Sequence, residues 1–147
     1  MTRHWSGALP ALLTRRVLQR LPVRRGLERG GLRILAEAFG AGGALAQQVI
    51  QQLKRDYHVV LVDFRRRVPL EEGMSSYRVE YNKRGFEDIF RKHKIEGVIH
   101  LGRMGLYEST HRNRYNHNVL GTQRLLDLSH KYGVKKVVVL STYFVYG

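Results

Sequence analysis

The chain has 147 residues, 43% of them hydrophobic, enough for one core of ordinary domain size and too little for a nucleotide-binding domain with a separate substrate domain. No apolar run in the sequence reaches the roughly 18 residues of a membrane-spanning helix, and the absence of cysteine excludes disulfides and thiolate metal sites. With 26 Lys and Arg against 12 Asp and Glu, the net charge of +14 favours anionic ligands, whether nucleic acid, acidic membrane or phosphorylated molecules.

Much of that excess lies at the start. Residues 1–31 hold Arg3, Arg15, Arg16, Arg20, Arg24, Arg25 and Arg29 against the single acid Glu28, with Leu9, Leu12, Leu13, Val17 and Leu21 among them. The amphipathic, acid-poor pattern resembles a mitochondrial transit peptide. Two plainer readings compete with it, a surface helix or disordered arm and an extension upstream of the natural start, and a dispensable extension is favoured over targeting. The composition breaks near Gly31, so residues 1–31 are read as a basic leader or extension and residues 32–147 as one domain. Without interleaved aromatics the arginines carry no nucleic-acid motif. The expected compartment is the cytoplasm, or the mitochondrion if the leader is a transit peptide.

From Arg33 onward, short apolar runs alternate with helix-length amphipathic stretches, the pattern of strands and helices built around a parallel sheet. Ile34 to Phe39 is the first strand, running into Gly40-Ala41-Gly42-Gly43. Leu45, Val49, Ile50 and Leu53 then recur at helical spacing up to Lys54. Val59 to Val62 is a second strand ending at Asp63, before a loop with Arg65, Arg66, Arg67 and Pro69. Tyr77 to Tyr81 reads as the third strand, and Phe86, Ile89 and Phe90 as one helical face. Gly97 to Leu101 is the fourth strand. A longer helix carrying Val119, Leu125, Leu126 and Leu128 ends near Gly133, a C-cap, before a fifth strand from Val137 to Leu140.

The glycine turn is the first chemical signal, because a pyrophosphate approaches backbone only where side chains are absent and helix N–H groups face it. Gly40, Gly43 and Ala46 fit G-x-x-G-x-x-G/A, a pattern that plain tight turns also produce. Asp63, 23 residues after Gly40, is placed to accept both hydroxyls of an adenosine ribose, with a solvated loop aspartate as its bland alternative. Arg65 and Arg66 beyond it suit a 2′-phosphate, which Asp63 would repel. The balance favours NAD, with NADP left open. No metal is expected.

Four ordered blocks are more specific: Gly40 to Ala46, Val98-Ile99-His100-Leu101-Gly102, Asn118-Val119-Leu120-Gly121-Thr122, and Leu140 to Gly147. Together they resemble the NAD-dependent epimerase/dehydratase family of extended short-chain dehydrogenases/reductases over about Arg33 to Gly147. The resemblance implies a Rossmann-type doubly wound α/β fold, a parallel sheet of order 3-2-1-4-5 here truncated after its fifth strand. It implies that Gly40, Gly43, Ala44 and Leu45 line the pyrophosphate and that Asp63, Phe64 and Arg65 flank the adenosine ribose. Asn82 and Lys83 lie along the adenine, Leu101 and Gly102 end the fourth strand against the cofactor, and Asn118 helps order the active site. As residues, His100 reads first as a packed, hydrogen-bonded histidine and Asn118 as a backbone cap or bridge.

Thr142 matches the family's catalytic Ser/Thr, and the resemblance implies a Tyr-x-x-x-Lys pair beyond Gly147. Tyr132 and Lys136 have that spacing by coincidence, since Gly133 breaks the helix between them. Phe39, Ala46 and the buried-strand carboxylate Glu37 depart from the pattern. Tyr143 and Phe144 stand where the family's dehydratases carry an acid pair, so the resemblance points to epimerase or reductase chemistry. The expected function is NAD(P) binding within an epimerase/dehydratase-like oxidoreductase acting on a nucleotide sugar or similar hydroxy substrate. A small-molecule substrate is expected only where further sequence completes the site, and homo-oligomerisation is left open. A non-catalytic dinucleotide-binding regulatory protein is the main rival reading, and a basic nucleic-acid-binding module the weaker one. Because the leader precedes the first strand and shares no block with the family, removing residues 1–31 should change dinucleotide affinity by no more than a few fold. Calorimetric titration of both lengths with NADH checks this, and a large loss would show the leader packing on the domain.

Overall fold

A computed structural model describes residues 33–37, 44–64, 74–102, 104 and 110–140. The elements run β1 (Arg33–Glu37), α1 (Ala44–Leu53), β2 (His58–Asp63), β3 (Met74–Arg78), α2 (Arg84–Lys92) and β4 (Ile95–His100). Then come α3 (His111–Tyr115), a π-helical turn (Asn116–Gly121), α4 (Thr122–Lys131) and β5 (Lys136–Val139). The sheet has the order β3-β2-β1-β4-β5, and every pairing is parallel. This is the Rossmann-type topology expected from the sequence.

Side chains alternate across a strand, so each strand feeds two cores. Val60, Val62 and Val98 pack with Phe86, Ile89 and Phe90 of α2 and Leu125 and Leu128 of α4. Their neighbours Val59, Leu61 and Ile99 pack on the other face with Val49, Ile50 and Leu53 of α1. Coverage on both faces is what a near-continuous run such as His58-Val59-Val60-Leu61-Val62-Asp63 requires. Leu53, Phe86 and Leu125 are wholly buried, each burial contributing about 1.5–3 kcal/mol.

Local chemistry sets the ends. Thr110 caps α3 by accepting from the Asn113 N–H at 3.3 Å. Beyond α4, Gly133 adopts φ 68°, its N–H reaching the His130 carbonyl and the Val134 N–H the Ser129 carbonyl. That is a Schellman motif, with Val134 packed against the core as its apolar contact. Among the described residues no helix is long and apolar enough to cross a membrane.

One sequence expectation needs correction. The third strand is Met74–Arg78, three residues earlier than read, and Tyr81 lies in the turn that follows. Ser75 and Ser76 hid its start, whereas pairing opposite Val60 and Leu61 supplies the order that their intrinsic preference does not. The long helix buries two of the four apolar residues named from its sequence. Leu125 and Leu128 are buried, while Val119 and Leu126 are 47% and 43% exposed. Tyr115, at 53%, is exposed alongside them.

Among the described residues, Gly121 is the most tightly packed glycine. A Cβ there would stand 2.6 Å from Tyr81 Cε2 and nearer still to Cδ2, and the Tyr81 ring is wedged edge-on against Phe86 and His100. Gly121→Ala should therefore cost about 1–3 kcal/mol through overpacking. Gly133→Ala, which meets no atom within 4 Å, should cost about 1–2 kcal/mol from left-handed backbone alone. Urea unfolding of both variants checks the contrast. Only the first should also disturb the near-ultraviolet signal of the tyrosines.

Candidate functional site

In an open parallel sheet the chain leaves β1 toward one edge, then crosses back to build the other. The crevice outside the carboxyl ends of β1 and β4 is the resulting switch point. β1 delivers its chain there, and α1 begins at Ala44 with no acidic residue in its first turn, so the positive end of its dipole is not neutralised from within. Leu45 is its second residue. Asp63 ends β2 at 2% exposure, and its carbonyl accepts from the Val79 N–H. The solvated-loop alternative for Asp63 does not survive that burial. Leu101 and Gly102 follow β4, half-buried at the same edge.

The helix across the crevice is tied to β4 by side chains. His100 is buried, as its reading as a packed histidine anticipated, and its Nε2 lies 2.9 Å from Thr122 Oγ1. Thr122 Oγ1 donates to the Asn118 carbonyl at 2.8 Å. Asn118 accepts from the Met104 N–H at 2.8 Å through Oδ1 and donates to the Met104 carbonyl at 3.1 Å through Nδ2. Asn118 thus bridges backbone, and in doing so holds the segment after β4. The π turn also meets the end of β2, where His117 stacks on Phe64 with centroids 4.7 Å apart.

Beside this lies a cleft of about 610 Å³ between the turn after β3 and the helix, lined by Glu80, Tyr81, Asn82, Asn116, His117 and Arg124, among others. Of the expected site residues, Asn82 lines it. Lys83 is the exposed N-cap of α2 and makes no side-chain cap bond. Glu80, Tyr81, Asn116 and His117 were not singled out from sequence. The polar ridge Asn113, Asn116, Arg124 at helical spacing was the available signal. Gly40, Gly43, Arg65 and Thr142 lie outside the described residues. Tyr132 and Lys136 belong to different elements, the C-cap of α4 and β5, so their spacing is a coincidence of sequence.

Arg124 is held from behind. Its guanidinium meets Glu87 Oε2 at 3.2 Å, while Glu87 Oε1 takes Lys131 Nζ at 2.8 Å, the Tyr132 hydroxyl at 3.0 Å and Arg91 at 3.3 Å. This one carboxylate, 12% exposed, ties α2 to α4. The hydrogen bonds from Lys131 and Tyr132 and the surrounding cations pull the Glu87 carboxyl from its usual 4.5 down to about 2.

The sequence profile of the NAD dependent epimerase/dehydratase family matches residues 39–147. The chain belongs to this family. It is 32% identical over 124 residues to a UDP-glucose 4-epimerase of Dictyostelium discoideum, covering 74% of this chain and 36% of that protein. The UDP-glucose 4-epimerase of Thermotoga maritima, solved with UDP-glucose, superposes with a TM-score of 0.66 at 28% identity, covering 76% of this chain and 38% of its own. That of Bifidobacterium longum, solved with NAD+ and UDP, gives 0.62 at 26% identity, covering 78% and 38%. The chain spans little more than a third of the length of these relatives.

Because the folded-state value of Glu87 lies below its usual one, its contribution to stability is complete above 4.5 and is lost as pH falls toward about 2. Glu87→Gln should lower stability at neutral pH and flatten the acid limb across that window. Denaturant midpoints measured down the pH scale check this. Parallel curves for the two proteins would show that the cluster adds nothing across the helices.

Proposed function

We propose that residues 32–147 form the dinucleotide-binding domain of an NAD-dependent epimerase acting on a nucleotide sugar, with residues 1–31 as a leader outside it. The observation that carries the reading is the buried carboxylate of Asp63 at the end of β2, beside the switch-point crevice of a sheet with this strand order. Membership of the family and the NAD+ and UDP present in the Bifidobacterium longum enzyme support it.

In this reading the α1 N-terminus, at Ala44 and Leu45, and the Gly40–Gly43 turn before it face the pyrophosphate, where backbone N–H groups and the helix dipole favour negative charge. Asp63 accepts both ribose hydroxyls, flanked by Phe64 and Arg65. Its charge disfavours a 2′-phosphate, which makes NAD the cofactor. The cleft wall at Asn82 lies along the adenine, with Lys83 at its exposed rim, and Leu101 and Gly102 border the nicotinamide half. Asn118 orders the segment after β4. Held by these residues, a bound dinucleotide would supply reversible hydride transfer at the carbinol carbon of a substrate. Thr142 would donate a hydrogen bond to that carbinol oxygen, whose proton would pass to the Tyr of the Tyr-x-x-x-Lys pair that the family resemblance implies.

Asp63→Ala should weaken NADH by more than NADPH, since the carboxylate gains two ribose hydrogen bonds in one case and meets a phosphate in the other. Loss of charge-assisted bonds of this kind corresponds to about tenfold or more in NADH affinity. Fluorescence titration of both dinucleotides into both proteins decides it. An unchanged NADH/NADPH ratio would remove Asp63 from the ribose.

A further inference from the structure

The hydrogen bonds joining β4 to the helix form a closed circuit with a fixed direction. A threonine hydroxyl carries one proton, and Thr122 gives its proton to the Asn118 carbonyl. It therefore faces His100 with a lone pair, and His100 Nε2 must bear the hydrogen across their 2.9 Å contact. The Thr122 backbone N–H meanwhile bonds the Val119 carbonyl, so the hydroxyl holds a carbonyl that the amide does not. Asn118 spends both ends of its side-chain amide on Met104. The chain from His100 to Met104 is thus stapled at both ends to one helix, with Leu101 and Gly102 between the staples. A threonine bonding back four residues is common within helices. Here the same hydroxyl also receives a buried histidine from another element, 22 residues away.

We infer that His100 and Thr122 are positioning residues of the dinucleotide site. Through a proton-ordered chain, His100 to Thr122 to Asn118 to Met104, they hold the π turn and fix the shape of Leu101–Gly102. This rests on the reading of the crevice as a dinucleotide site. The circuit itself is measurable without that reading.

The experiment uses the nitrogen-15-labelled chain of residues 1–147. In the unaltered protein, long-range nitrogen–proton spectra should show His100 with hydrogen on Nε2, and the Met104 amide should be protected from exchange. Thr122→Val should speed Met104 exchange by about tenfold or more and weaken NADH by about tenfold, the scale of one net hydrogen bond, while Val60 in β2 keeps its protection. Thr122→Ser, which retains the hydroxyl, should restore both. A His100 lacking hydrogen on Nε2, or unchanged Met104 exchange in folded Thr122→Val, overturns the inference. If Thr122→Val does not fold, His100→Phe removes the donor within a similar volume and must speed Met104 exchange in the same way. Failure of the unaltered chain to bind NADH would count against the dinucleotide site, and with it the positioning role, while Met104 exchange would still judge the circuit.

Discussion

Parallel pairing of β1 along both of its edges is the constraint on which the rest of the molecule depends. Leu35 is paired with Val60 on one side and Val98 on the other. A strand so enclosed has no free edge, and its sheet must be covered on both faces. Helices then have to lie on each face, and the chain must reverse its direction of travel across the sheet. That reversal opens the crevice at the carboxyl ends of β1 and β4. Glu37, which reads from sequence as a charge in the middle of a buried strand, is the last residue of β1, level with Val62 and His100. Its backbone stands where the strand ends and the crevice begins.

The parts of this architecture legible in the sequence are those written in local chemistry. Val59 to Val62 announces a strand covered on both faces, Phe86, Ile89 and Phe90 a helix with one apolar stripe, and Gly133 a left-handed C-cap. The rest depends on partners distant in sequence. Ser75 and Ser76 become strand only because β2 lies beside them. Tyr81 looks like the end of a strand and is instead the ring against which Gly121 must pass. Asp63 was readable by position, but its burial is a property of the packed sheet. A π turn leaves no mark of its own, since Asn116 to Gly121 carries the same composition as an ordinary helix surface.

Charge is organised as narrowly as packing. In a chain with a large basic excess, one glutamate collects Arg91, Arg124 and Lys131, and Tyr132 links it further by donating to Glu87 and accepting from Arg91 Nε. An isolated surface ion pair contributes little, because each partner must surrender side-chain freedom for a screened attraction. Several cations sharing an acceptor that is already shielded lose less of that freedom for each bond formed. The cluster also joins α2 to α4 outside the apolar core, and it restrains Arg124, whose other side lines the cleft.

The π turn explains how one helix can serve both core and site. Inserting or removing a single residue in a helix rotates everything on one side of that point by about 100° relative to the other. Through an uninterrupted α-helix, Leu125 and Leu128 could remain in the core while Asn118 swung away from Met104 and His117 from Phe64. Leu125 and Leu128 of α4 meet the core requirement, and the turn before it meets the site requirement while packing Gly121 against Tyr81. Gly121 and Thr122 stand at the junction, one because only a hydrogen fits against Tyr81, the other because its hydroxyl reaches both His100 and the Asn118 carbonyl. Fold stability and site geometry therefore meet at this junction: Leu125 and Leu128 secure α4 in the core, while the phase of the residues before it is set by polar contacts at the crevice and by the close fit of Gly121 against Tyr81.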